Sequence, residues 1–354
     1  MKALWPKIRN YLFLALALGL IYLVFKDVDF AWMGRELREA QLGWVLISVT
    51  CGILAMASRA WRWQLLLEPL GYKPGFLHCF YGVSIGYFAN IALPRMGEVV
   101  RCTILHQTDQ VPVNQSFGTV ILERVIDVVL LLSLIATVIF SRYDLFGDFF
   151  MREIFSGKTA SLQGFIQRNG LYLIGLGLLF LLGIIWIGIK IRGSWSQKPL
   201  ILKVKHFFSG IGDGLITLFR MKKKGAFLFH TLFIWFNYFL MTWVCVYAYA
   251  PTEHLQAFDG LFLMVVGGLG MTAPVQGGFG AFHYLVEKAL MLYQIMPSVN
   301  PLNGAEIRPG LVFATIVHTG QFLMTVIAGG ISLLAFSVAK KKRKAQHVSD
   351  EAGR

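Results

Sequence analysis

Charge is what this chain has little of, and negative charge least. Of its 354 residues 15% are charged, 33 Lys and Arg against 19 Asp and Glu, while 56% are hydrophobic. Mean hydropathy is +0.61. That balance excludes an ordinary soluble domain. Several apolar runs approach or exceed the roughly 20 residues that cross a bilayer, so the chain reads as an integral, all-α, polytopic membrane protein. Cysteine is scarce too. Cys51, Cys79, Cys102 and Cys245 show no Cys-x-x-Cys or zinc-type spacing, which argues against a disulfide framework and a metal cluster. No Gly-x-Ser-x-Gly, His-Glu-x-x-His or phosphate-loop pattern occurs. No stretch of soluble character is long enough to hold a nucleotide, so no cofactor and no metal are expected. The formal charge of +14 is scattered between hydrophobic runs. It reads as topology and contact with anionic headgroups rather than nucleic-acid binding.

The apolar segments lie at about 8–25, 44–67, 76–93, 116–140, 171–190, 225–249, 258–296 and 310–338. Lys2, Lys7 and Arg9 precede the first, and no small-residue cleavage site precedes Lys26, so it is expected to be a retained span. Basic residues crowd the connection 190–225, where Asp213 is the lone acid, and the run Lys340–Lys344. Both are placed on the cytoplasmic side. The connection 26–43 is balanced in charge and fits the outer side. These sides require segment 76–110 to enter and leave from the cytoplasm, turning near Pro94, and segment 258–296 to enter and leave from outside, turning near Pro274. The expected architecture is two inverted repeats, about 8–140 and 171–338. It contains about six full spans plus two re-entrant helical hairpins, counted as eight or so transmembrane segments. A single membrane domain covers 1–345, with 346–354 as a polar tail end and both termini cytoplasmic. Paired interruptions in halves of opposite topology point to a transporter's central site.

Two stretches concentrate the chemistry. Asn90, Pro94, Arg95, Gly97, Glu98 and Arg101 fall within twelve residues at the end of an apolar run. Ionisable groups at such a depth face a cavity, a partner or a ligand. Glu123 and Asp127, four apart, share a helix face with Arg124 beside them. Two readings stay open: a self-neutralising ion-pair cluster that bonds Arg95 or Arg101 across an interface, or acids that orient arginines to receive a phosphate, which the planar guanidinium binds with two hydrogen bonds. Arg59 and Arg62, flanked by Trp61 and Trp63, read most simply as an interfacial anchor, with headgroup contact the sharper alternative. The stretch 267–280, with Pro274, Gly277, Gly278 and Gly280, is too rich in Gly and Pro for a continuous helix. Its glycines serve either close packing or exposure of backbone amides to an anion. His283 and Glu287 are spaced to share a face; His283, His318 and Asn237 read as structural. Residues 198–224 form an amphipathic, interfacial pattern.

The ordered motifs Asn90…Leu93-Pro94-x-x-Gly97-Glu98-x-x-Arg101, Glu123-Arg124-x-x-Asp127 and Pro274-x-x-Gly277-Gly278-x-Gly280 resemble those of flippase-like, UPF0104/YbhN-type membrane proteins. These are similar to the transmembrane region of lysylphosphatidylglycerol synthases. The resemblance extends over roughly 10–335 and departs at Arg95 and His283, where family members often carry Gly and Glu. It implies movement of an anionic or phosphate-bearing lipid, a phospholipid or a polyprenyl phosphate, between the leaflets of a bacterial inner membrane. Arg95, Arg101 and Arg124 would meet the headgroup, beside Asn90, with Glu98, Glu123 and Asp127 orienting them. A homo-oligomer or a lipid-modifying enzyme is the implied protein partner. Bifunctional members add an amino acid through a separate C-terminal domain; the chain ends at Arg354, so that activity is expected to be absent. Two alternatives remain, a membrane-embedded transferase acting on a lipid-linked substrate and a non-catalytic subunit of a lipid-modifying complex.

Overall fold

Apolar helices with few charges dictate the architecture, seen in a computed structural model that describes residues 18–92, 96–143, 216–273 and 275–352. A helical stretch at 18–25 leads into α1 (Phe30–Glu39), whose N-cap is Asp29, with its carboxylate accepting from Trp32 N at 2.9 Å. Then follow α2 (Leu42–Leu67), α3 (Phe76–Ala92), α4 (Gly97–Asp109), α5 (Val113–Ser141), α6 (Lys224–Trp243), α7 (Ala257–Met271), α8 (Ala281–Met291) and α9 (Pro309–Ala352). Four stretches among the described residues are long and apolar enough to cross a membrane: Leu42–Leu70, Val113–Ser141, Lys224–Ala248 and Pro309–Lys340. They coincide with four of the six full spans expected. Of the other two, 171–190 lies outside the described residues and only 18–25 of the first is described. The last helix continues past its apolar part to Ala352.

Between these long helices sit two helical hairpins. α3 and α4 have 17 and 13 residues, and α7 and α8 have 15 and 11. At ~1.5 Å per residue the longest arm reaches only about 25 Å, short of a hydrocarbon core of roughly 30 Å. Within the first hairpin the backbones nearly touch. A Cβ on Gly97 would stand 2.2 Å from the Gly86 carbonyl oxygen, and Asn90 Oδ1 accepts from Gly97 N at 2.7 Å. Pro94 and Arg95, between the arms in sequence, lie outside the described residues, as does Pro274.

The second hairpin is interrupted within 267–280, as expected. Gly267, Gly268 and Gly270 belong to α7, and the chain leaves the helix only after Met271. Gly267 and Gly270 make room for α8: a Cβ there would lie 2.6 Å from the Phe282 ring and 2.8 Å from its Cα. The turn itself uses Gly277, Gly278 and Gly280, at φ of 58°, 73° and 80°, a region that costs glycine little. His318 of α9 holds this turn, its Nε2 2.8 Å from the Gly277 carbonyl oxygen. The two hairpins meet, for α3 packs against residues 276–278.

The largest apolar core lies between α7, α8 and the first half of α9, including Phe262, Leu290 and Phe313. A second core fills the first hairpin, with Trp63, Leu67, Cys79, Cys102 and Leu105. Beyond α8 a short antiparallel pair, β1 (Ser298–Val299) and β2 (Glu306–Ile307), folds over residues 27–29. Asp29 N donates to Glu306 O at 2.9 Å and Glu306 N to Asp27 O at 2.8 Å.

Candidate functional site

Three helices bring their charges to one point inside the protein. α2 supplies Arg59 and Arg62, α4 supplies Glu98 and Arg101, and α5 supplies Glu123, Arg124 and Asp127. Arg62 and Glu123 are wholly buried, Arg59 is 2% and Arg101 3% exposed. The helical spacing of the α5 acids aims both at α2. Asp127 accepts from Arg59 Nη1 at 3.1 Å through one oxygen and from Arg62 Nη1 at 3.0 Å through the other. Glu123 accepts from Arg101 Nη2 at 2.6 Å and faces Arg62 Nε at 3.5 Å. Arg124 stands 3.6 Å from Glu98 and 3.7 Å from Asp127, with 41% of its side chain exposed. Four guanidinium groups thus surround three carboxylates, which leaves the cluster one positive charge in excess.

Aromatic and hydroxyl groups finish the wall. The Arg101 guanidinium lies 4.0 Å from the centre of the Trp63 ring, a cation–π contact, and Trp63 Nε1 donates to Thr119 at 2.9 Å. From α6, Tyr238 accepts from Arg59 Nη2 at 3.0 Å and pairs with Tyr87 of α3 at 3.3 Å. Thr231 lies 3.5 Å from Arg62. Yet the cluster is not saturated. Arg59 Nε, Arg62 Nη2, Arg101 Nε and Glu98 Oε2 are buried without a hydrogen-bond partner, and buried donors left unpaired are costly. Against Glu98 and Arg101, though not Arg59 or Arg62, opens a cleft between the arms of the first hairpin, with Asn90, Gly97 and Arg124 also on its walls. At about 10 Å³ it has room for about one water.

Glu98, Arg101, Glu123, Arg124 and Asp127 therefore come together as expected. Asn90 sits beside them, with its carbonyl oxygen engaged by the hairpin. Gly277, Gly278 and Gly280 lie apart from the charges, in the second turn; Arg95 lies outside the described residues. Arg59 and Arg62 correct the anchor reading. Their helix continues to Leu67 with a further turn to Leu70, so they lie inside rather than at its end, and Asp127 claims both. Arg308 went unnoticed in the sequence. It pairs with Glu287 and Glu306, its Nη1 donates to Val24 O at 2.5 Å, and Glu287 is 1% exposed. An acid isolated in an apolar helix was the signal that a partner had to exist. Among the described residues no group of three His, Cys, Asp or Glu stands ready to hold a metal ion.

The family described as "Lysylphosphatidylglycerol synthase TM region" matches residues 11–329. Among curated proteins, a UPF0104 membrane protein of Methanocaldococcus jannaschii is 32% identical over 92 residues, which are 25% of this chain and 27% of that protein. The matched part thus spans about a quarter of that relative's length. No solved structure matches.

Proposed function

The chain belongs to the lysylphosphatidylglycerol synthase TM-region family, and from that premise we propose that it moves an anionic or phosphate-bearing lipid between the leaflets of a bacterial inner membrane. The observation that carries this reading is the charge cluster, whose buried part sets three arginines, Arg59, Arg62 and Arg101, against the two carboxylates of Glu123 and Asp127 and leaves several donors unpaired. A structural ion-pair network gains nothing from an uncompensated cation in a low-dielectric interior. A phosphate supplies the missing negative charge and oxygens placed to accept from the unpaired guanidinium groups, and arginine is the side chain suited to it. Arg101 and Arg124, beside the cleft, meet the headgroup, which is that of a phospholipid or a polyprenyl phosphate. Glu98, Glu123 and Asp127 hold the guanidinium groups in place between passages.

The same reading makes the chain two inverted repeats, each with a hairpin that enters and leaves on one side. The short arms and the contact between the hairpins support it, since a central site in such transporters lies where broken helices meet. Both termini and the basic segments then face the cytoplasm. The test is a leaflet-access assay in proteoliposomes, with labelled anionic, zwitterionic and polyprenyl-phosphate lipids. One class is expected to exchange faster than in protein-free vesicles, and Arg101→Ala and Glu123→Gln proteins, shown to be folded and inserted, to lose that gain. Normal exchange in both variants would refute the proposal. No exchange of any lipid by folded protein would favour a transferase or a scaffold.

A further inference from the structure

A second polar feature lies along the seam of α2 and α6, away from the hairpin cleft. Where the two helices end on the basic side of the protein, a cleft of about 340 Å³ opens, with Trp61, Glu68, Tyr72, Lys73, Lys223 and His230 among its walls. That volume falls in the range of small-ligand sites. Its far wall is the loop after α2, braced by Gln64 Nε2 donating to Pro74 O at 2.7 Å and turned at Gly71, φ 87°. Trp61 stacks on Phe76 at 4.5 Å and on His230 at 5.8 Å, so aromatic rings form one wall of the cleft. The His230 ring is held in place by Ser58 Oγ, 2.8 Å from Nδ1.

The charge of the cleft favours an anion. Both oxygens of Glu68 accept from Lys223 Nζ at 3.1 Å, so that pair neutralises itself. Lys73 has no ion pair among the described residues. One positive charge remains at the mouth, and the seam leads inward from it. From the Lys223–Glu68 pair the polar contacts between α2 and α6 continue as His230 with Ser58, Thr231 with Arg62 and Tyr238 with Arg59. Polar cross-links thus run along two otherwise apolar helices from the cleft to the buried arginines, with Ser48 Oγ donating to Met241 O beyond them.

We propose that this cleft is a loading site for a phosphate group, from which the polar seam leads to the arginine cluster. The proposal deepens the lipid-transport reading and rests on it for the route, though not for the binding chemistry. Two sources could bring such a group, a lipid headgroup in the adjacent leaflet or free phosphate in solution.

Calorimetry on the full-length protein in detergent separates them, with dihexanoyl phosphatidic acid below its micelle concentration as one probe and inorganic phosphate as the other. Lys73 is exposed, so Lys73→Gln leaves folding intact. Saturable binding is expected, about fivefold weaker in Lys73→Gln, as suits the loss of one partly screened ion contact, and unchanged in Arg101→Ala. Binding of the lipid probe alone assigns the site to headgroups; equal binding of inorganic phosphate assigns it to soluble phosphate. The proposal is overturned if neither probe binds, if Lys73→Gln binds as wild type does, or if Arg101→Ala abolishes binding, which would locate the probe in the inner cluster. Binding that meets the expectation in a protein without lipid exchange would leave the loading site standing and remove the transport reading alone.

Discussion

The protein builds two charged assemblies at opposite ends of its core, and they are finished differently. Around Asp29 and Arg308 nearly every polar atom is answered. Asp29 accepts from Trp32 N, from Asn300 at 2.7 Å and from Asn303 at 3.0 Å, while Arg308 divides its donors between Glu287 and Val24 O. Around Arg62 and Arg101 positive charge exceeds negative, and buried donors are left over together with two acid oxygens, Glu98 Oε2 and Glu123 Oε1. The first assembly is a clamp that fastens residues 24–29 to the loop before α9. The second holds charge in reserve. On the proposed function, the saturated assembly is the one that stays closed and the unsaturated one is the one that receives the headgroup.

The largest effect expected from breaking this contrast is at Glu123. Glu123→Ala leaves Arg101 without its carboxylate and Arg62 without one of two, at a cost of about 3–5 kcal/mol for an uncompensated buried charge, read as thermal unfolding in detergent. Glu287→Ala in the clamp should cost less, about 2 kcal/mol, because Arg308 keeps Val24 O and Glu306. An equal loss at both sites would erase the distinction.

Next comes the hairpin that carries Arg101. Gly97→Ala drives a methyl group into the Gly86 carbonyl and the Asn90 amide, and overpacking of this kind costs about 1–3 kcal/mol. The same variant should slow lipid exchange, since the arms part where the cleft lies. Wild-type stability and exchange in Gly97→Ala would show that the close approach is incidental.

A smaller effect separates the assemblies by pH. Its hydrogen bonds from Trp32, Asn303 and Asn300 pull the Asp29 carboxyl from 3.8 down to about 2. A carboxyl whose pKa is lowered by folding contributes stability that is fully present above its unfolded value and lost as pH falls through its folded value. The clamp is therefore expected to weaken between about pH 4 and pH 2 and to hold steady above that window. Hydrogen exchange of the 300–307 backbone checks this, and Asp29→Asn should flatten the dependence. Last is the Lys223–Glu68 pair, whose side chains are 59% and 40% exposed. Lys223→Gln should change the unfolding free energy by less than about 1 kcal/mol, and a larger loss would mean that the α2–α6 seam is held together from its rim.

Much of this was legible in the chain. Apolar runs placed four spans within a few residues of where they lie, for example 44–67 against Leu42–Leu70, because length and hydropathy are what a bilayer selects. The i, i+4 spacing of Glu123 and Asp127 put both acids on one face, and burial of that face required arginines. Sequence could not tell which arginines. A basic pair beside tryptophans looks alike at a helix end and a few turns inside it, and Arg59 lies about 16 Å from Leu70 along the helix axis. Arg308, just before Pro309, had the look of a loop residue until Glu287 was found across from it. The stretch 267–280 was legible as a break because Gly and Pro interrupt helices, and the helix does stop at Met271; that Gly267 and Gly270 stay helical and serve packing depends on Phe282, which needs the space they leave.

The central claim is that the inner arginines carry a phosphate-bearing headgroup rather than hold the fold together. Arg124 tests it most directly, being half exposed and the least tied to the acids. In proteoliposomes, Arg124→Gln should slow exchange of the transported lipid about tenfold, as loss of a charge-assisted phosphate contact implies, with its unfolding midpoint unchanged in detergent. Wild-type exchange by Arg124→Gln, together with a lowered unfolding midpoint, would contradict the account and make the cluster a structural network.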